Sequence, residues 1–167
     1  MQNIEIKAKL RNRGNVESRL RALGAKCLWT HRQTDTFFEV PRGWLKLREA
    51  EGRPPELIAY ERSSELALPR ASNYEVLVVK DADACRRLLA RVLPVDKFVE
   101  KERTLWIYEH TRIHLDRVDE LGEFIELETV VEGITEREAR EETQRVQATL
   151  GIDREDLIAV PYRDLVR

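Results

Sequence analysis

Residues 3–10, NIEIKAKL, alternate between polar and apolar side chains along their whole length. Strict alternation predicts a β-strand, because successive side chains of a strand point to opposite faces. One face of this strand is apolar. The other carries an amide and three charged groups: Asn3, Glu5, Lys7 and Lys9.

The same two-residue period recurs along most of the chain. It predicts further strands at residues 27–31, 34–40, 44–49, 57–63, 74–80, 97–108, 111–118 and 124–132. Helical spacing of apolar residues predicts helices over 15–24 and 82–92 and a third one after Thr135. Thr135 and Glu138 have the spacing of a capping box at the start of that third helix. The residues after Gly151 are expected to be irregular.

Charged residues of like sign stand two apart on several of these strands, as K-x-K, K-x-R and E-x-E. For one strand alone, the simplest interpretation is a face exposed to water. Repeated on many strands, such pairs repel one another unless a counterion intervenes. Three helices cover the apolar sides of about eight strands most easily when the sheet closes with its apolar face outward. We therefore predict an α+β fold, a closed eight-stranded antiparallel β-barrel with a polar lumen and helices packed outside.

The residues expected to point into this lumen carry both signs of charge, with the positive sign in excess. The basic members are Lys7, Lys9, Lys46, Arg48, Arg62, Lys101, Arg103 and Arg112, and the acidic members are Glu5, Asp116, Glu126 and Glu128. Burying unpaired ions costs several kcal/mol each, so the lumen must be wet and suits a compact polyanion. Arginine and lysine match phosphate oxygens, and carboxylates suit Mg²⁺ or Mn²⁺. The pattern predicts a triphosphate bound together with a divalent metal.

Composition narrows the class of protein. The chain has 167 residues, a length typical of one domain, so residues 1–167 are expected to form a single domain. With 29 Lys and Arg against 31 Asp and Glu, the net charge is -2, which argues against nonspecific adhesion to nucleic acid or an anionic membrane. The charged N-terminus and the lack of a long apolar segment predict a cytoplasmic protein.

Several motifs together resemble one known family. They are IEIKAK (4–9), QTDTFF (33–38), GWLKLRE (43–49), YERS (60–63), VEKERTLW (99–106), TRIHLD (111–116), LGEFIELE (121–128) and PYRDL (161–165). In this order they resemble the CYTH family of triphosphate tunnel metalloenzymes, in particular its class IV adenylyl cyclase-like and thiamine triphosphatase-like members. The resemblance implies an antiparallel eight-stranded tunnel that binds triphosphates with a divalent cation.

The resemblance also implies roles for individual positions. Glu5 and Lys7 match the last two positions of the family's ExExK strand, whose first Glu is Asn3 here. One possible carboxylate ligand is thereby lost. Further matches are Lys46 and Arg48 in LKLR, Arg62 at the next basic position, Lys101 and Arg103 in K-x-R, Arg112 and Asp116 in R-x-x-x-D, and Glu126 and Glu128 in E-x-E.

The expected function is metal-dependent hydrolysis of a phosphoanhydride bond in an inorganic, nucleoside or thiamine triphosphate. Two alternatives are a class IV adenylyl cyclase and a noncatalytic polyphosphate or nucleotide binder. We expect the eight basic residues to bind phosphate, and Glu5, Asp116, Glu126 and Glu128 to hold Mg²⁺ or Mn²⁺. The catalytic group is expected to comprise Glu5, Lys7, Glu126 and Glu128. Neither a specific nucleic acid nor a membrane is expected as a partner.

The sequence allows two interpretations for a few residues. His114 shares a face with Arg112 and can either contact phosphate or bond within the wall. Trp29, Trp44 and Trp106 can stack on a base at the tunnel mouth, although tryptophans on strands more often pack against neighbours. The tail around Tyr162 and Arg163 either closes one opening or docks without touching the ligand.

Overall fold

A computed structural model describes residues 2–62 and 69–166 of the chain, with only the backbone described at Arg62. Its strands are β1 (Gln2–Lys9), β2 (Lys26–Phe38), β3 (Trp44–Ala50), β4 (Glu56–Arg62), β5 (Arg70–Val78), β6 (Val95–Tyr108), β7 (Thr111–Val118) and β8 (Gly122–Val130). Its α-helices are α1 (Arg13–Leu23), α2 (Ala82–Ala90), α3 (Glu136–Leu150) and α4 (Tyr162–Leu165).

The eight strands form a closed antiparallel barrel. Their order around the wall is β1-β5-β4-β3-β2-β6-β7-β8, and β8 pairs with β1 to complete the ring. Each of the eight described strands therefore pairs on both sides, and none of them is a free sheet edge. The predicted fold is confirmed, including the helices outside the wall.

One strand replaces two of the predicted ones. Residues 27–31 and 34–40 were expected to form separate strands, but β2 runs without a break from Lys26 to Phe38. Its partner β6 pairs with it over this whole length, so the residues between the two predicted strands keep their ladder partners. A register shift between Cys27 and Trp29 is absorbed within the strand.

Two of the helices are delimited by the capping residues that the sequence offers. The side chain of Asn12 accepts a hydrogen bond from the backbone N–H of Asn15 at the start of α1, and Gly24 ends that helix with φ 84°. At the start of α3, Thr135 and Glu138 form the predicted capping box. These caps set where the two helices begin and where α1 ends.

The main hydrophobic core lies outside the barrel wall. Outward-facing residues of β1 and β6–β8 meet α1 and α3 there, in a cluster that includes Ala8, Leu20, Trp106, Ile113, Leu127 and Val146. Trp106 is therefore a packing residue. This arrangement leaves the inner face of the wall for the polar side chains.

A second cluster fills one end of the barrel and is called the end cluster here. It consists of Phe37, Val99, Val118, Phe124 and Tyr162. Tyr162 comes from the C-terminal segment, which was expected to be irregular but contains a 3₁₀ turn (Arg154–Asp156) and α4. The backbone N–H of Ile158 donates to the carbonyl of Lys7 at 2.8 Å, which ties this segment to β1.

The described residues contain no helix with the length and apolar character needed to span a membrane.

Candidate active site: a charged tunnel inside the barrel

The barrel encloses a cavity of about 480 Å³ between the end cluster and the opposite mouth. Side chains from all eight strands line it. Among the residues expected in the lumen, the structure brings these to the cavity wall: Glu5, Lys7, Lys46, Arg48, Lys101, Arg103, Arg112, Glu126 and Glu128. Residues far apart in the chain thus converge in one hollow.

Two of the predicted residues, Lys9 and Asp116, do not line the cavity. Lys9 has the expected parity, but it ends β1 and its side chain is exposed outside the cavity. Asp116 is fully buried behind the cavity surface. The side chain of Arg62 lies outside the part of the chain that the structure describes, so its role stays a prediction.

Asp35 is an acidic centre that the sequence interpretation missed. Its carboxylate accepts hydrogen bonds from Lys46 Nζ at 3.0 Å and from Arg48 Nε and Nη2 at 2.8 and 3.0 Å. Lys101 Nζ lies 4.0 Å away. Burial works to raise the pKa of Asp35, but Arg48 and Lys46 outweigh it and hold this pKa well below its usual value. Asp35 is therefore a permanent anion that gathers three basic side chains.

Asp116 is a second acidic centre on the neighbouring wall. Arg103 donates to both of its carboxylate oxygens, at 2.7 and 2.5 Å, and the Tyr162 hydroxyl donates to Oδ2 at 2.9 Å. Burial opposes ionisation, yet Arg103 and Lys101 lower the pKa of Asp116 to about 2. Both oxygens of this carboxylate accept hydrogen bonds from Arg103, and one also accepts from Tyr162. Asp116 therefore holds Arg103 in position from behind the cavity surface.

The third group of charges lies on β1 and β8. Lys7 Nζ is 2.8 Å from Glu126 Oε1, and Arg103 Nη2 donates to the other oxygen of Glu126 at 2.5 Å. The Lys7 ammonium also lies 3.7 Å from the centre of the Tyr162 ring. Burial acts against the Glu126 carboxylate, but Lys7 and Arg103 hold its pKa well below the usual value.

Glu5 and Glu128 face each other across β1 and β8 as directly paired residues. Like charges opposite each other on a sheet repel, so each carboxylate is stabilised by a basic side chain or a hydrogen-bond donor nearby. Arg70 Nε is 3.6 Å from Glu5, and His114 Nε2 is 3.3 Å from Glu128. Burial lowers the pKa of His114, as does Arg103, and this favours its neutral ring. His114 thus lies within the wall, near a carboxylate.

The oxygen donors on this wall fit a hard divalent cation in their chemistry. Glu5, Glu126 and Glu128 supply carboxylates, and the buried Oδ1 of Asn3 lines the same cavity with no hydrogen-bond partner among the described residues. Within residues 2–62 and 69–166, no three acidic, histidine or cysteine side chains are already grouped in the way a metal ion would need.

The two lysines near Asp35 have lowered pKa values in the free protein. Burial, followed by repulsion from Arg48, lowers the pKa of Lys46 to about 7, although Asp35 partly offsets both effects. Burial and Arg103 lower the pKa of Lys101 in the same way. An anion that enters the cavity favours the ammonium form of both lysines and so raises their pKa values.

The C-terminal segment closes one end of the cavity. Pro161 and Tyr162 line it, and Arg70 donates to the Ala159 carbonyl at 2.5 Å. Arg163 lies away from the cavity surface and pairs with Asp96 at 2.7 Å. Both interpretations of the tail therefore apply in part. Tyr162 closes an opening of the cavity, whereas Arg163 docks against the protein without lining the cavity.

Comparison with known proteins places this geometry in a family. The chain is 24% identical, over 99% of its length and 98% of the relative's, to a Methanocaldococcus jannaschii protein named "Putative adenylate cyclase". The PH1012 protein of Pyrococcus horikoshii has the same fold, with a TM-score of 0.86, 22% identity and 99% of each chain covered.

A third similar protein comes from Hippeastrum, carries the name "Putative adenylyl cyclase" and is described with a dominant triphosphatase activity. It superposes with a TM-score of 0.60 at 16% identity, covering 90% of this chain and 88% of its own. The family model of the CYTH domain matches residues 1–162. The chain therefore belongs to the CYTH domain family.

Proposed function

We propose that this protein is a divalent-metal-dependent enzyme that binds a triphosphate in the tunnel and hydrolyses a phosphoanhydride bond. The observation that carries the proposal is the set of buried basic side chains around Asp35 and Asp116, which share one enclosed cavity with the carboxylates of Glu5, Glu126 and Glu128. Such a set suits a chain of phosphoryl groups, whose oxygens are distributed along its length.

Phosphate binding is the work of the basic side chains on β1, β3, β6 and β7. Arg48 and Arg103 are held in fixed orientations by Asp35 and Asp116, so their remaining N–H groups are available to phosphate oxygens without further ordering. Lys7, Lys46, Lys101 and Arg112 add charge around the same cavity. Phosphoryl transfer depends mainly on such positioning and charge neutralisation.

Glu5, Glu126 and Glu128 would hold Mg²⁺ or Mn²⁺, with Asn3 adding a neutral oxygen in place of a fourth carboxylate. When bound, the metal neutralises phosphate oxygens and favours ionisation of a water nucleophile. Attack of water at the terminal phosphorus breaks its bond to the bridging oxygen, and orthophosphate and the shortened chain leave. Before a ligand enters, Lys7 and Arg103 hold the pKa of Glu126 well below its usual value, so this carboxylate is already ionised.

Product analysis tests this proposal. Purified protein is incubated with Mg²⁺ or Mn²⁺ and with tripolyphosphate, ATP or thiamine triphosphate, and the products are separated by chromatography. We expect orthophosphate, and we expect Glu126→Gln and Glu128→Gln to lose at least 100-fold in rate while circular dichroism stays unchanged, because both remove a ligand charge. Undiminished rates in both folded variants would reject their assigned role.

A class IV adenylyl cyclase is the second candidate, favoured by the name of the Methanocaldococcus jannaschii relative. In that reaction the ribose 3'-hydroxyl of ATP attacks the α-phosphorus, and the same incubation yields cyclic AMP and pyrophosphate. A noncatalytic binder, the third candidate, takes support from the neutral Asn3 on the ligand wall. It predicts binding of all three triphosphates without any product.

A further inference from the structure

Gln33 is an uncharged polar residue in the charged part of the tunnel. Its side chain lines the cavity, and the residue is only 3% exposed. The amide oxygen, Oε1, has no hydrogen-bond partner among the described residues. A buried acceptor without a donor costs free energy, so such a group on a cavity wall points to a ligand that supplies the donor.

The surroundings of Gln33 do not suit a metal ion. Its cross-strand partners are Lys101 on β6 and Ala50 on β3. Two residues along β2, Asp35 has Arg48 as its partner on β3 and accepts its hydrogen bonds. Positive charge is in excess around the amide, and repulsion between like charges is strong in a buried site. The amide oxygen is therefore expected to bind a neutral donor.

The phosphate groups of a ligand cannot provide this donor. Ionised phosphoryl oxygens accept hydrogen bonds and carry no hydrogen of their own. A hydroxyl group or a water molecule has an O–H that can be donated to an amide oxygen. Gln33 Oε1 therefore fits a water or hydroxyl oxygen that lies beside the bound phosphates.

Gln33 also lies where the basic surface of β3 ends. Lys46 and Arg48 face the cavity, and the next residue of the same parity is Ala50, the partner of Gln33. In phosphoryl transfer the attacking and leaving oxygens lie roughly in line, on opposite sides of the phosphorus. For a phosphoryl chain bound along Lys46 and Arg48, the attacking oxygen then lies beyond the end of the chain, beside Gln33.

We propose that Gln33 is a further catalytic residue, whose amide oxygen accepts a hydrogen bond from the water that attacks the terminal phosphorus. The proposal rests on the proposed function and gives its nucleophile a binding site. The water oxygen bonds to the phosphorus, and the bond from the phosphorus to the bridging oxygen breaks. Its electron pair leaves with the shortened chain. A phosphate oxygen takes up the proton of the water, and the amide stays neutral because it only orients this molecule.

Rates and affinities of the same variants test this role. Gln33→Leu and Gln33→Met keep the approximate size of the side chain and remove the acceptor. With Mg²⁺ and tripolyphosphate, ATP or thiamine triphosphate, we expect kcat to fall about 100-fold in each reaction that releases orthophosphate, because the nucleophile is no longer positioned. The dissociation constant of the nonhydrolysable imido analogue of tripolyphosphate should change by less than about threefold, because Oε1 cannot bond to phosphate oxygens.

Stability separates this role from a structural one. The urea midpoint of both variants should stay the same or rise, because the apolar side chain leaves no unpaired oxygen in the interior. Thr36→Val is the matched control. Thr36 lies on the same strand, is fully buried and has an unpartnered oxygen among the described residues, but it does not line the cavity. Its replacement should leave kcat within about twofold of the unaltered protein, because the Thr36 oxygen contacts no reacting group.

Several results would overturn the role of Gln33 and leave triphosphate hydrolysis intact. Weaker binding of the imido analogue with unchanged kcat would make Gln33 a phosphate ligand, and a higher Mg²⁺ requirement would make it a metal ligand. Loss of folding in both variants would make it a packing residue, and unchanged kcat would leave it without a catalytic role. If the unaltered protein released no orthophosphate from any of the three triphosphates, the proposed function and this inference would fall together.

Discussion

Asp35 shows how one side chain prepares the wall for an anion. In the free protein its carboxylate accepts the hydrogen bonds of Lys46 and Arg48, with Lys101 nearby. Without it, Lys46 and Arg48 would lose the carboxylate that accepts their hydrogen bonds, and Lys101 would keep only Asp116, 3.5 Å away, as a counterion. We infer that Asp35 holds these groups in place and that an entering triphosphate supplies further negative charge beside it.

Replacing Asp35 tests this interpretation. Asp35→Asn should destabilise the free protein by about 3 kcal/mol, because breaking a buried ion pair strands the remaining charge. Saturating tripolyphosphate should restore part of this loss. Urea unfolding with and without ligand measures both effects. Asp119→Asn removes a carboxylate that pairs with Arg32 in an exposed position and should cost less than about 1 kcal/mol. Equal losses in the two variants would contradict the proposed role of Asp35.

Lys46 makes binding depend on pH. Its pKa of about 7 in the free protein rises when an anion binds, because the anion favours the ammonium form. Above pH 7 binding therefore takes up a proton, and affinity is highest below pH 7. We expect the tripolyphosphate dissociation constant to rise with pH above 7, by at most about tenfold per unit from this group.

The ligand also changes its protonation state with pH. The contribution of Lys46 is therefore isolated by comparing the unaltered protein with a variant at this position. Lys46→Arg keeps the positive charge and removes the titration, because arginine stays protonated. Calorimetry in two buffers of different ionisation enthalpy counts the protons taken up at pH 8. The unaltered protein should take up more protons than Lys46→Arg, and identical uptake would assign the pH dependence to other groups.

At the scale of elements, the C-terminal segment functions as the closed end of the tunnel. Tyr162 contributes a ring to the end cluster and a hydroxyl to Asp116. Tyr162→Phe should cost about 2 kcal/mol, the value of a hydrogen bond to a charged group. Tyr162→Ala should cost about 4 kcal/mol, because it also leaves a cavity. Urea unfolding of both variants measures the difference. Equal losses would mean that the ring contributes little to closure.

The strands also show how far the sequence predicts the fold. Two-residue alternation identified the faces of β1, β3 and β6–β8, because parity is a local property of a strand. Alternation does not show which strands pair with each other. The sequence therefore predicted β2 as two strands, separated at Arg32 and Gln33, where polar residues interrupt the apolar pattern. Continuous pairing with β6 overrides that interruption.

The limits of the site prediction have the same origin. Asp35 shares its face with Phe37, so this face of β2 did not stand out as charged. Arg70 lies before the strand predicted at residues 74–80, because β5 begins at Arg70, four residues earlier than the alternation indicated. Lys9 has the parity of a lumen residue but lies beyond the end of the lumen, because parity does not show where along a strand the lumen ends. Asp116 and Tyr162 become neighbours only when the C-terminal segment folds back over the barrel. The interpretation of residues 1–167 as one domain stays a prediction.

At the scale of the whole molecule, the packing that keeps the barrel closed is opposed by repulsion among the basic side chains inside it. The main core lies outside the wall, where α1 and α3 cover it, and it keeps the barrel closed. Inside, basic side chains from β1, β3, β6 and β7 surround one cavity. A ligand long enough to contact several of these strands at once stabilises the closed barrel more than a small anion does.

Thermal unfolding with anions of different length tests this coupling. A ligand at 100 times its dissociation constant adds about 2.7 kcal/mol to the stability of the folded state. For a chain of this size that corresponds to a rise in Tm of about 5–10 °C. We expect tripolyphosphate with Mg²⁺ to reach this rise at millimolar concentration, and orthophosphate to give less than about 2 °C, because it contacts one part of the wall.

Arg112→Gln is the matched variant for that experiment. Arg112 lines the cavity and donates to the Tyr74 hydroxyl at 3.2 Å, a contact whose loss costs about 1 kcal/mol. The variant should therefore fold, yet tripolyphosphate should raise its Tm by only about half as much as in the unaltered protein. If orthophosphate and tripolyphosphate raised the Tm equally in both proteins, anion binding would not span the barrel, because no contact beyond a single phosphate would contribute to its stability.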